Sequence, residues 1–257
     1  MLVDSHCHLD RLELDIFDGS LSKALDAARL NGVEEFLCIS INSSNHQLVL
    51  EIADSYEDVY ASIGIHPLYS KGEEIDVDKL VSTAKHSKVI AIGETGLDYY
   101  YDKESAKLQQ DLFRTHVRAS VESGLPLIVH TRDAQQDTLD ILKEEGADKV
   151  GGVLHCFTES LQMAEKAMEM GFYISFSGIV TFKNAAELQE VAKVIPEDRI
   201  LVETDSPYLT PVPYRGKPNS PRHVADVAKF IAGLRQIKYE DFCLKTTENY
   251  RRLFKRK

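Results

Sequence analysis

Two histidines stand one residue apart near the start of the chain, in Val3-Asp4-Ser5-His6-Cys7-His8-Leu9-Asp10. Side chains of an extended strand alternate faces, so His6 and His8 share one. Two neutral imidazoles on one face can ligate one cation through ring nitrogens. Asp4 is expected on that face one step deeper, where it could orient a ligand histidine from behind. Cys7 points the other way. Similar chemistry recurs at the ends of later apolar runs: Gly64-Ile65-His66-Pro67, Ile92-Gly93-Glu94-Thr95-Gly96, Val129-His130-Thr131-Arg132, Leu154-His155-Cys156-Phe157 and Glu203-Thr204-Asp205-Ser206-Pro207. Five of the nine histidines stand at such ends, with one Glu and one Asp; His46, His86, His116 and His223 do not. Taken singly, a histidine there is an ordinary hydrogen-bonded group, Glu94 a helix cap and Asp205 a turn residue. Taken together they form a metal-binding set. Nitrogen and carboxylate donors suit Zn, Mn, Fe, Ni or Co, and carboxylates with water suit Mg. The set is too large for one catalytic ion with an open position and large enough for two. Glu94 could give one oxygen to each ion, and Asp205 could bind one ion and accept a proton from water. Glu203, two residues before Asp205, is placed to orient a ligand from behind.

The elements that must bring these residues together are legible as a rhythm. Apolar runs begin near Leu2, Val33, Val59, Val89, Pro126, Gly151, Phe172 and Ile200, each followed by a segment of helical length. The segment from Lys103 places Phe113, Val117 and Val121 on one helical stripe and stops at Gly124, with Pro126 beyond. Asp133 is an expected N-cap of the next helix, and Gly146 and Gly171 are expected helix terminators. Eight such units over residues 1–257 predict a single-domain α/β fold, a (β/α)8 TIM barrel, with the histidine-bearing ends on its C-terminal rim. An open doubly wound sheet is the alternative. Ser206 to Pro221 reads as a long substrate-facing loop, Tyr239 to Phe254 as a closing helix, and Arg251 to Lys257 as a solvated basic end.

Composition narrows the partners. A formal charge of −11 argues against a protein that coats nucleic acid with a broad basic surface, though not against one that meets phosphate through metal ions and a few local cations. No apolar run approaches the roughly 20 residues that span a bilayer, so no membrane association is expected. With no secretory pattern and four cysteines lacking a C-x-x-C pair, the expectation is a cytoplasmic protein with reduced thiols, by default a monomer. Cys7, Cys38 and Cys156 are expected as buried structural thiols.

In order along the chain, S-H-C-H-L-D, G-I-H-P, I-G-E-T-G-L-D-Y, His130-Thr131-Arg132, H-C-F and E-T-D-S-P-Y-L resemble the TatD family of metal-dependent deoxyribonucleases, among the amidohydrolase-like barrels. The resemblance runs from His6 to the Asn249-Tyr250 region. It implies two divalent ions held by His6, His8, Glu94, His130, His155 and Asp205, with Glu94 as the bridge and Glu94 and Asp205 as catalytic groups. It implies hydrolysis of DNA, often single strands from the 3′ end, with Mg2+ or Mn2+; Zn2+, Ni2+, Co2+ or Fe are further candidates. Candidate substrate contacts are His66, Arg132, Arg215 and Lys217, and Tyr99, Tyr100, Tyr101 and Tyr214 could stack on bases. The alternative function is a hydrolase of a small ester, lactone, amide or phosphotriester, or of an aminoacyl-tRNA ester. A non-catalytic metal-binding protein would be expected to lack a ligand, and none is missing.

Overall fold

The computed structural model describes residues 1–255; Arg256 and Lys257, the end of the basic segment, lie outside the described residues. Strand and helix alternate as β1 Leu2–Cys7, α1 Leu21–Arg29, β2 Val33–Cys38, α2 His46–Ser55, β3 Val59–Ile63, α3 Val77–Thr83, β4 Val89–Asp98 and α4 Ala106–Ser123. They continue as β5 Leu127–Arg132, α5 Gln135–Glu144, β6 Gly152–Leu154, α6 Leu161–Glu169, β7 Phe172–Phe176, α7 Ala186–Val194, β8 Ile200–Val202, α8 Val224–Arg235 and α9 Tyr239–Leu253. All strand pairs are parallel and the order is β1 to β8 without reversal, which rules out the doubly wound alternative.

The sheet is a nearly closed (β/α)8 barrel. Its β8–β1 seam is joined largely by side chains and loop backbone. Ser5 Oγ donates to Val202 O at 3.0 Å, and the Thr204 N–H and hydroxyl donate to the Asp4 carboxylate at 2.9 and 2.6 Å. The Asp205 N–H donates to His6 O, and the His8 N–H to Ser206 O.

Apolar side chains fill two layers. Leu25, Phe36, Phe113, Val117 and Phe172 belong to the layer between helices and sheet. Val3, Leu37, Ile39, Ile90, Ile128, Val153, Tyr173 and Leu201 pack together as the barrel interior, joined by Tyr250, Leu253 and Phe254 from the end of the chain. A barrel of eight strands is filled by such inward side chains rather than open as a pore.

Several expectations need correction. Asp133 does not cap α5. Its backbone is left-handed (φ 54°), whereas an N-cap side chain acts from extended backbone, and Ala134 precedes the helix instead. Cys156 is not a core thiol like Cys7 and Cys38; it lies beyond β6, partly exposed, with φ 43° and its sulfur 3.2 Å from Ser177 Oγ. Arg251, expected in solvent, reaches Glu35 at 3.0 Å. Among the described residues no helix is long and apolar enough to cross a membrane.

Candidate metal centre

The C-terminal ends of the strands converge as barrel geometry requires, and β4 places the central carboxylate. Its pairing with β5 shifts register between Ile92 and Thr95, so one extra residue is accommodated where Glu94 stands. Close backbone approach makes this possible. A Cβ on Gly64 would lie 2.5 Å from the Gly93 carbonyl carbon, and one on Gly96, at φ +131°, would run into the His130 carbonyl oxygen. Glycine at both positions lets β3, β4 and β5 close around Glu94.

Glu94 divides the donors between its two oxygens. Oε2 is 3.5 Å from His6 Nε2. Oε1 is 2.8 Å from His155 Nε2, 3.3 Å from His66 Nε2 and 3.6 Å from His130 Nδ1. Asp205 lies on the His6 side, its Oδ1 3.5 Å from His6 Nε2 and 3.3 Å from His8 Nε2. The atoms fall into compact trios: His6, His8 and Asp205; His66, Glu94 and His130; and His6, His155 and Glu203.

Imidazole hydrogen bonding tests whether these residues fit a cation. His8 Nδ1 donates to Ile39 O, His130 Nε2 to Asp98 Oδ2 at 3.0 Å, and His155 Nδ1 to Glu203 Oε1 at 3.3 Å. Each ring therefore turns its other nitrogen into the cluster. His6 is buried with both nitrogens lacking a hydrogen-bond partner, and His155 Nε2, close as it is to Glu94, makes no hydrogen bond either. Buried imidazole nitrogens without partners, beside two convergent carboxylates, are what a divalent cation satisfies. The donor set fits metal ions.

Charge runs the same way. Burial opposes ionisation of Glu94, but the surrounding imidazoles, His155 first, hold its carboxyl well below the usual range. For Asp205 burial is likewise outweighed by His8 and His6. Burial and the charge of His155, whose ring stacks on it at 3.8 Å, pull His6 down. Burial also pushes His66 to about 3, so that ring is neutral. His66 Nδ1 accepts from the Leu68 N–H, which leaves its proton on Nε2, facing Glu94. Through Nε2, His66 is a donor at the site rather than a ligand.

The other expected residues separate. Glu203 stands behind the cluster, binding His155, the Cys156 N–H and Ser175 Oγ. Asp4 does not act on an imidazole. A register shift between Asp4 and Cys7 inserts one residue into β1 and breaks the alternation that would align Asp4 with His6. Its carboxyl, raised to about 8 by burial, takes the seam bonds from Thr204 instead. Arg132 lines the cavity with its guanidinium 4.1 Å from the Tyr100 ring centre. Arg215 and Lys217 are not part of the cavity wall, because their loop folds back with Val212 N–H bonded to Thr181 Oγ1 and Arg215 laid on Phe182. Tyr99 is tied to Asp137, and Tyr214 packs on His223; Tyr100 and Tyr101 stay exposed near the mouth.

The cavity above the cluster measures about 870 Å3. Of its charged residues and tyrosines, Asp98, Arg11, Tyr69 and Tyr208 escape the sequence reading. Asp98 carried a signal, since it stands four residues after Glu94 on the same strand. The others lie in turns, where strand periodicity says nothing.

Residues 3–255 match the family model described as TatD related DNase. The chain is 46% identical to the "uncharacterized metal-dependent hydrolase" YcfH of Escherichia coli K12, over 98% of this chain and 95% of that one. It is 43% identical to the similarly described YabD of Bacillus subtilis 168, over 99% of each. Among solved structures it resembles YJJV, a TatD homolog from Escherichia coli K12, with a TM-score of 0.90 and 27% identity over 99% of this chain and 98% of that one. A match across nearly the whole chain, together with a donor set that fits cations, settles the class: the chain belongs to the TatD-related DNase family and is a metal-dependent hydrolase.

Proposed function

We propose that this hydrolase cleaves phosphodiester bonds in DNA, shortening single strands or 3′ ends, with two divalent ions held by His6, His8, Glu94, His130, His155 and Asp205. The observation that carries the two-ion reading is the division of donors across Glu94, one oxygen toward His6 and the other toward His130 and His155. The family description supports DNA as the substrate. When bound, Mg2+ or Mn2+ supplies charge stabilisation at the phosphoryl group and lowers the pKa of water.

The chain's own groups do the rest. Asp205, kept ionised by His8 and His6, accepts the proton of the attacking water at Oδ1. His66, neutral with its proton on Nε2, donates a hydrogen bond toward the reacting group. Glu203 and Asp98 fix the imidazoles of His155 and His130 in the tautomers that face the cluster.

The test is an end-labelled single-stranded oligonucleotide and a 3′-recessed duplex, incubated with metal-stripped protein to which Mg2+, Mn2+ or Zn2+ is returned singly. Metal-dependent shortening by the wild type and none by Glu94→Ala is expected. Asp205→Asn should lower kcat by about 10²- to 10⁴-fold without changing the melting temperature of the metal-free protein. If no metal restores cleavage of either oligonucleotide, DNA hydrolysis is wrong and small esters become the substrates to try.

A further inference from the structure

One side of the cavity wall is aromatic and apolar. The loops after β8, β1, β2 and β3 supply Arg11, Ile41, Leu68, Tyr69, Tyr208 and Leu209 to it. Leu68, Tyr69 and Tyr208 keep 39%, 39% and 49% of their surface exposed. Large apolar side chains left in water around one cavity mark a binding surface rather than a core. Both tyrosines stand one ring away from the centre. Tyr208 meets His8 with ring centres 6.0 Å apart, and Tyr69 meets His66 at 6.4 Å, each pair edge to face.

The two rings are held before any ligand arrives. The Tyr208 N–H donates to Asp205 O at 2.9 Å, and Asn219 Nδ2 donates to Tyr208 O. The Tyr69 N–H donates to His66 O at 2.8 Å. The loop beyond it is tied down on both sides, by Lys71 to Asp102 at 2.9 Å and by the Ser43 N–H to Glu73 at 3.3 Å. Arg11 braces the pair. Its guanidinium lies 6.0 Å from the Tyr69 ring centre, and its Nε is 3.7 Å from Asp10 Oδ2, a carboxylate that Asn45 Nδ2 holds at 3.1 Å. Burial would depress the Arg11 pKa, yet hydrogen bonding with Tyr208 and Tyr69 more than offsets this. Arg11 is therefore engaged by its own neighbours.

Among the described residues the cavity wall has no lysine, and its one other arginine is Arg132, at the end of β5. A ligand on the tyrosine side meets ring and apolar surface beside the metal donors, with no uncommitted arginine or lysine. A phosphate placed there would lack a cation, whereas a flat neutral aromatic group is matched.

Resting on the phosphodiesterase reading above, we infer that Tyr69 and Tyr208, braced by Arg11, form a slot for the base of the 3′-terminal nucleotide while the scissile phosphate sits at the centre. A terminal nucleotide brings a base and a hydroxyl to this side and nothing more. An internal nucleotide would bring a further phosphate to a place with no free cation to meet it. The slot thus gives a physical reason for shortening a strand from its end rather than cutting within it.

Calorimetric titration of the Mn2+-loaded protein tests this with three probes. They are thymidine 5′-monophosphate, 2-deoxyribose 5-phosphate, which lacks the base, and thymidine 3′,5′-bisphosphate, which adds the phosphate of a continuing strand. The wild type should bind the monophosphate about 10-fold or more tighter than the sugar phosphate. Tyr69→Ala and Tyr208→Ala should each lower that ratio about 3-fold or more, and Tyr69→Phe and Tyr208→Phe, which keep the ring, should hold it within about 2-fold of wild type. The bisphosphate should bind no tighter than the monophosphate. The ratio compares two ligands on one protein, so a change at the centre that weakens both leaves it standing. Equal affinity with and without the base, or a ratio unchanged in both alanine variants, would overturn the slot. A bisphosphate bound about 10-fold tighter than the monophosphate would overturn the preference for an end. In each of these cases oligonucleotide shortening by the wild type keeps the phosphodiesterase reading intact. No shortening with any metal removes that reading and the slot with it.

Discussion

At the scale of residues, the centre depends on groups that touch no ion. Asp98 binds His130 Nε2 through one oxygen and the N–H groups of Tyr100 and Tyr101 through the other. Asn at this position can still accept from the turn but puts no negative charge behind the imidazole. Asp98→Asn should weaken metal binding by about 10- to 100-fold, read by calorimetric titration of the metal-stripped protein. An unchanged affinity would show that His130 needs no such support. Why Asp98 was passed over while Glu94 and Asp205 were not is instructive. Those two stand among glycines and turn residues at the very end of apolar runs, whereas Asp98 sits past a bulge that carries the strand further than its apolar pattern. Asp4 was misread for a related reason. Strict alternation places it with His6, and one inserted residue in β1 undoes that. A bulge has no sequence mark here, so the converging donors were legible and the groups behind them only partly so.

At the scale of elements, all eight strand starts could be read from apolar runs, because parallel strands buried on both faces need continuous Val, Ile and Leu. Less legible was what pins the strand ends. Two histidines outside the rim do so beside β3. His46 Nε2 contacts Gly64 O at 3.1 Å, and His116 Nε2 accepts from the Ile65 N–H at 3.0 Å while Nδ1 donates to Leu112 O. His116 is therefore a neutral ring, its pKa lowered to about 4 by burial. As pH falls from about 6.5 to about 4, the unfolded chain takes up a proton that the folded chain refuses, so stability drops, by up to roughly 3 kcal/mol from this site. His116→Gln should remove that part of the acid slope in urea titrations at stepped pH. A slope in the variant as steep as in wild type would assign the acid sensitivity to other groups.

At the scale of the whole molecule, the seam and the centre are one structure. His6 and His8 come from β1 and Asp205 from just beyond β8, so an ion held by all three would join the two edges that the backbone ladder leaves open. Added Mn2+ at about 100 times its Kd should stabilise the fold by about 2.7 kcal/mol, a rise in melting temperature of roughly 5 to 10 °C, and most of that rise should vanish in Asp205→Asn. Thr204→Val, which leaves the buried Asp4 carboxyl without its hydroxyl partner, should cost the metal-free protein about 1–3 kcal/mol in chemical unfolding. The opposite end of the barrel has its own consequence. Tyr250, Leu253 and Phe254 pack with the inward-facing side chains of the strands, so among the described residues that end of the barrel is filled. If the chain cleaves DNA as proposed, a released nucleotide leaves by the doorway through which the strand came. Product and incoming substrate then contend for the same space, and a mononucleotide should act as a competitive inhibitor, slowing the enzyme as its own waste accumulates.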